Sequence, residues 1–158
     1  MKSSTPAKAL LCAAAASIVL GAAEAQAGDL TLQIIATQST ASAGNAKVSP
    51  YNRAKAEVLA LDLNGDPVSD LAGPGETGDQ TGEVSIPGWR INTMAVGAGG
   101  CGLVPIGLRN FGDGTYTLRL GTASTTAPCS WKPGDYVFSL SIGAGGRFGM
   151  GLGHFPIN

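Results

Sequence analysis

The chain has 158 residues, a formal net charge of −1, and only 13% charged residues. Its 10 Lys/Arg and 11 Asp/Glu are scattered singly, with no basic stripe to track phosphates, which excludes a nucleic-acid binder of the electrostatic kind. A single histidine excludes zinc sites built from several imidazoles, and any Ser-His-Asp or Cys-His arrangement would have to use it.

Residues 1–27 have the layout of an export signal. Lys2 and Lys8 form a basic start, and Ala9–Ala23 is an uncharged apolar run. Ala25-Gln26-Ala27 gives the small-x-small pattern cut by signal peptidase. The run is shorter than the roughly 20 residues of a bilayer span. Leu11 before Cys12 is too large for a lipobox, and Cys12 sits at the start of the apolar run rather than its end. Cleavage before Gly28 leaves residues 28–158 as a single domain, long enough for a hydrophobic core. No second apolar stretch follows, so the expected product has no membrane span and is secreted or periplasmic.

Period-two alternation then dominates. A first strand is expected over Leu30–Ala36, followed by a linker-like stretch, Thr37–Ser49, rich in Ser, Ala, Gly and Asn. Glu57–Leu63 alternates with Leu59, Leu61 and Leu63 as its core set. The stretch that follows, Asp62-Leu63-Asn64-Gly65-Asp66-Pro67, spaces oxygens as a calcium loop does. An EF-hand loop starting at Asp62 would need Gly sixth and Glu twelfth, where Pro67 and Gly73 stand. A turn explains more: Asn64-Gly65 tolerates positive φ, and Pro67 can open a strand. Weaker strands are expected over Glu83–Ile86, Arg90–Val96 and Val104–Leu108. Gly114–Leu120 follows, with Tyr116, Leu118 and Leu120 inward. Asp135–Ile142 comes next, with Tyr136, Phe138, Leu140 and Ile142 inward. Arg147–Phe155 is the last.

Once Cys12 leaves with the signal, Cys101 and Cys129 remain, and an even number in an exported chain reads as a disulfide. No CxxC pair or neighbouring histidine supports a metal or redox role, and no cofactor is expected. Seven or eight short strands separated by Gly, Pro, Asn and Asp clusters point to an all-β antiparallel β-sandwich with Greek-key connections and one disulfide.

The stretch Val58–Leu71 resembles the second-strand signature of bacterial immunoglobulin-like domains of the invasin/intimin group. There a strand ends in Asp, an Asn-Gly turn follows, and Pro-Val opens the next strand. Phe111–Leu120 and Trp131–Ile142 are similar to later strands of those domains, in the same order. Carboxypeptidase-regulatory and transthyretin-like sandwiches share much of this grammar. The likeness covers roughly Lys55 to Ile142, and Pro74–Gly102 has no counterpart. The resemblance implies a sandwich used for spacing, adhesion or complex assembly, and it implies no catalysis.

Four groups of residues could carry a site. Trp89 follows Pro87-Gly88, where an exposed ring could stack on a sugar; Trp131 follows Cys129 by two residues and is expected to cover the disulfide. His154 reads as a strand histidine. Asp62, Asp66, Asp70, Glu76, Asp79 and Glu83 fall in or near turns, where solvation accounts for them, although a carboxylate pair could hydrolyse a glycoside. The last strand sets Phe148, Met150, Leu152 and His154 on one face and Arg147, Gly149, Gly151, Gly153 and Phe155 on the other. A glycine face needs something flat against it: aromatic rings of the same chain, or another chain's strand or sheet. Trp89, Arg147, Gly149, Gly151, Gly153 and Phe155 are therefore the candidate interface. No residue is nominated as catalytic. The expected role is a binding or structural module with a protein partner, the alternatives being a carbohydrate-binding module and a small carboxylate hydrolase.

Overall fold

The structure, a computed structural model, describes residues 28–44, 53–79, 82–97, 99–122 and 129–158. The signal-like residues 1–27 and part of the linker-like stretch, residues 45–49, lie outside them. Among the described residues there are eight strands and no helix long and apolar enough to cross a membrane. They are β1 (Leu30–Ser39), β2 (Ala54–Asp62), β3 (Gly75–Thr77), β4 (Trp89–Ala95), β5 (Leu103–Asn110), β6 (Thr115–Thr122), β7 (Gly134–Ala144) and β8 (Arg147–Ile157).

All eight join one curled sheet in the order β3-β5-β6-β2-β1-β8-β7-β4. β1 is the turning point. It pairs antiparallel with β2 along its length and parallel with β8 at Leu30 and Thr31, with an irregularity between Ile34 and Ala36. Curling brings the far ends face to face, consistent with a β-sandwich. The Trp89 ring of β4 lies 5.2 Å from that of Tyr116 on β6, and the Leu103 N–H of β5 donates to Thr93 Oγ1 of β4 at 2.6 Å. Cys101, just before β5, and Cys129, before β7, form the disulfide, with Cα atoms 6.1 Å apart. The bond joins chain entering one half of the sheet to chain entering the other.

The core follows the alternation of β6 and β7. Tyr116, Leu118, Leu120, Tyr136, Phe138, Leu140 and Ile142 are all buried, and each large apolar side chain so placed contributes about 1.5–3 kcal/mol. Trp131 meets Tyr136 and Phe155 edge-on at 5.1 and 6.0 Å, and Tyr136 stacks on Phe155.

Two expectations need correcting, and one strand is added. In β2 the buried row is Ala54, Ala56, Val58 and Ala60, while Leu63 is 77% exposed. The small row faces in because β2 lies mid-sheet, opposite the bulky residues of the other half; a one-residue slip exchanges every side chain between faces. Glu83–Ile86 forms no strand. It runs irregularly, tied by the Val84 N–H to the Pro105 carbonyl at 2.9 Å, with Ile86 buried. The three-residue β3, paired with β5 through Gly75–Asn110, was not expected at all.

Candidate functional site

The Asp62–Pro67 stretch is a turn. Asp62 Oδ1 accepts the backbone N–H groups of Asn64 (2.8 Å) and Asp66 (2.9 Å), Gly65 has φ 86°, and Leu61 bridges to Pro67. The Asp66 N–H, then the Asn64 and Gly65 groups, hold the Asp62 carboxyl below its ordinary pKa. The first of the oxygens that resembled calcium ligands, Asp62 Oδ1, is thus occupied by the backbone of its own turn.

The other acids are dispersed. Asp70 accepts from Arg147 Nη2 at 2.8 Å, which lowers its pKa, and Glu76 pairs with Arg119. Among the described residues no group of three or more His, Cys, Asp or Glu side chains could hold a metal ion. Arg119 is buried, and burial, followed by the charge of Arg53, lowers its pKa.

Trp89 is 2% exposed, against the expectation of an exposed ring. Its Nε1–H donates to the Leu71 carbonyl at 2.9 Å. The Tyr116 hydroxyl donates to the Val68 carbonyl and accepts the Leu71 N–H. Asn110 Nδ2 donates to the carbonyls of Ser69 and Ala72. Trp89, Tyr116 and Asn110 thus clamp the Val68–Ala72 loop over the core, each through hydrogen bonds to its backbone. Beside Trp89, a cleft of about 450 Å³ opens between β4 and β5, lined by Glu83, Ile86, Trp89, Arg90, Leu103 and Pro105.

The glycine face of β8 is also turned inward. A Cβ at Gly149 or Gly151 would stand 2.8 or 3.2 Å from the Cβ of Leu30 or Leu32, and one at Gly153 would stand 2.5 Å from the Phe138 ring. Phe155 is buried, and Arg147 is held by Asp70. The cover is intramolecular: one ring, as the aromatic reading anticipated, and the strand β1, which it did not. As a contact for another chain this face is already taken.

The opposite face of the same strand is the unexpected feature. Phe148 is 44% exposed and Leu152 is 51% exposed, with Met150 half-buried between them. These side chains form a row on the outer side of the β1-β8-β7-β4 half. The sequence pattern had already separated this face from the glycines. The signal in the sequence is that the side chains opposite the glycines are mostly apolar, so once the glycines turn inward Phe148, Met150 and Leu152 present apolar area to the outside.

The sheet edges are poor docking sites by comparison. β3 spans three residues, β4 shifts register between Thr93 and Ala95, and β5 shifts between Pro105 and Gly107, with a proline in the strand. Short edges, bulges and prolines are the devices that discourage strand addition. No protein-family model, curated protein or solved structure matches the chain.

Proposed function

We propose that this chain is an exported immunoglobulin-like module that works by binding, engaging a protein partner through the outer face of β8. The observation that carries this is the row Phe148, Met150 and Leu152 on the outside of a folded sheet. Contiguous exposed apolar surface of this kind marks interaction sites. The immunoglobulin-like assignment is supported by strand order. With β3 set aside, β5-β6-β2-β1 followed by β8-β7-β4 reproduces the D-E-B-A and G-F-C succession of that sandwich. Export is supported by the pattern of residues 1–27 and by the disulfide, which persists in oxidising compartments. The role is structural or adhesive, without chemistry of its own.

The test is cross-linking of the oxidised protein in its native envelope and culture supernatant, followed by mass spectrometry, alongside Leu152→Asp. A stoichiometric protein partner captured by the wild type and lost by the variant is the expected result. Enrichment of polysaccharide, or capture that ignores the substitution, would overturn the reading.

A further inference from the structure

We infer that the partner on the outer β8 face is a second copy of this chain, packed sheet to sheet about a two-fold axis that runs between β7 and β8; this rests on the reading of that face as a protein-binding surface.

The pairing register of β7 and β8 carries the inference. Phe148 stands opposite Gly143, Met150 opposite Ser141, and Leu152 opposite Ser139. Of these partners Gly143 is exposed, Ser141 half-buried and Ser139 buried, so the β7 column is open towards its Gly143 end. Each outward pair joins a large apolar side chain to a small one. The β8 column is therefore a ridge and the β7 column beside it a trough, about 4.8 Å apart. A two-fold axis parallel to the strands and midway between these columns places each ridge over the other copy's trough. Rows are preserved, so Phe148 of one copy enters the space above Gly143 of the other. A two-fold interface must fit itself, because the same patch serves both partners. Few surfaces satisfy that condition, and a ridge adjoining a parallel trough does.

Charge agrees with shape. An isologous contact meets each of its own charges again, so a self-pairing face is best left uncharged near its axis. From Gly143 to Val137 on β7 and from Phe148 to His154 on β8 there is no Lys, Arg, Asp or Glu. Arg90, Ser141, Met150 and Thr31 share one row across four strands. The two-fold sets Arg90 over Thr31 of the second copy, and Asp135, paired with Pro156, over that copy's proline. No like charges meet. The outer side of the other half offers no such surface, since Lys55 stands opposite Arg119 there.

Area agrees as well. Four strands and about nine residues of length give a face of roughly 20 by 30 Å, or about 600 Å² per copy. Specific complexes bury about 800 Å² per partner, which places this dimer at the small end, with a dissociation constant in the micromolar range.

Sedimentation equilibrium of the oxidised protein over a concentration series tests this with two variants. Leu152→Asp puts a carboxylate against the facing sheet and should weaken association about 100-fold or more. Gly143→Leu is the sharper variant. A Cβ there meets no atom within 4 Å and the residue has no positive φ, so a single copy accommodates it. It fills the trough, and dimerisation should weaken about 10-fold or more. Plain hydrophobic sticking would respond to the added leucine by associating more strongly. Concentration-dependent dimers weakened by both variants support the inference. Dimers indifferent to either variant, or strengthened by Gly143→Leu, overturn it. A wild type still monomeric at about 1 mM, far above a micromolar constant, also overturns it. If that monomer nevertheless loses its cross-linked envelope partner on Leu152→Asp, the binding face stands and only the self-pairing fails. If capture is unchanged as well, both fail.

Discussion

The two halves of the sheet bury similar apolar rows and differ on their outer sides. On the β3-β5-β6-β2 half, Lys55 faces Arg119 across the strands, Glu57 faces Thr117, and Glu76 faces Arg109 while pairing with Arg119. Glu76 neutralises Arg119 there, while Glu57 is exposed to water and Lys55 half-buried. On the β1-β8-β7-β4 half the outer side carries Phe148, Met150 and Leu152 beside serines and glycine. An antiparallel sheet packed on one side ordinarily turns polar residues outward. The first half keeps charges outward on β2, β3 and β6, although Leu59 and Leu61 of β2 also point out, half-buried. The second departs further, with Phe148 and Leu152 exposed on β8, Ile35 on β1 and Met94 on β4, which is why a partner is sought there.

The contrast can be broken most strongly at the bond between the halves. Replacing Cys101 and Cys129 together by alanine opens a loop with a sequence separation of 28, and should cost about 3–4 kcal/mol of unfolding free energy in urea. A loss under about 1 kcal/mol would mean that packing alone holds the halves together.

Neighbouring residues of β8 should then behave oppositely. Gly151→Val drives a side chain against Leu32, whose carbonyl oxygen lies 2.7 Å from the Cβ position, and should destabilise by about 3 kcal/mol. Leu152→Asp, one residue on and facing out, should change folding stability by less than about 1 kcal/mol while altering binding. Equal destabilisation by the two would show that the outer row is structural.

On the charged half, Glu76→Gln leaves buried Arg119 without its carboxylate and should cost about 1–2 kcal/mol, discounted because Glu76 is partly exposed. Arg119→Met, which removes the buried charge instead, should be near neutral or stabilising. Thermal unfolding of the two variants separates these outcomes.

The smallest effect is acidic. Hydrogen bonds hold the carboxyls of Asp62, Asp70 and Asp113 below their ordinary values, from the Asp66 N–H, from Arg147 and from Thr115 respectively. A folded-state value below the unfolded one, about 3.9, gives stabilisation that is present above that pH and lost as pH falls through the folded values. The urea midpoint should stay level from about pH 7 to 5 and decline below about 4. Asp62→Asn should flatten that decline slightly, and an unchanged slope would remove Asp62 from the account.

Much of the frame could be read from the residues. Tyr116 to Leu120 and Tyr136 to Ile142 alternate large apolar with polar or small residues, so their inner face follows from composition alone. The Asn64-Gly65 turn and the Cys101–Cys129 pair were equally legible, because positive φ and the count of cysteines are local matters. β2 and β8 were not legible in the same way. Both alternate, but Ala54, Ala56 and Ala60 compete with Leu59 and Leu61 for the inside, and glycines compete with Phe148 and Leu152. Trp89 was misplaced because no local pattern reveals an acceptor such as the Leu71 carbonyl, 18 residues away.

The sequence by itself determined where most strands run, where most of them turn, and which two cysteines meet, since these depend on period, backbone preference and number. Only the tertiary structure decided which side of β2 and β8 faces inward. That choice depends on how closely the flanking strands of the same sheet approach. β1 lies so near β8 that only glycines fit beneath Leu30 and Leu32, and the large side chains of β8 had no room except outside.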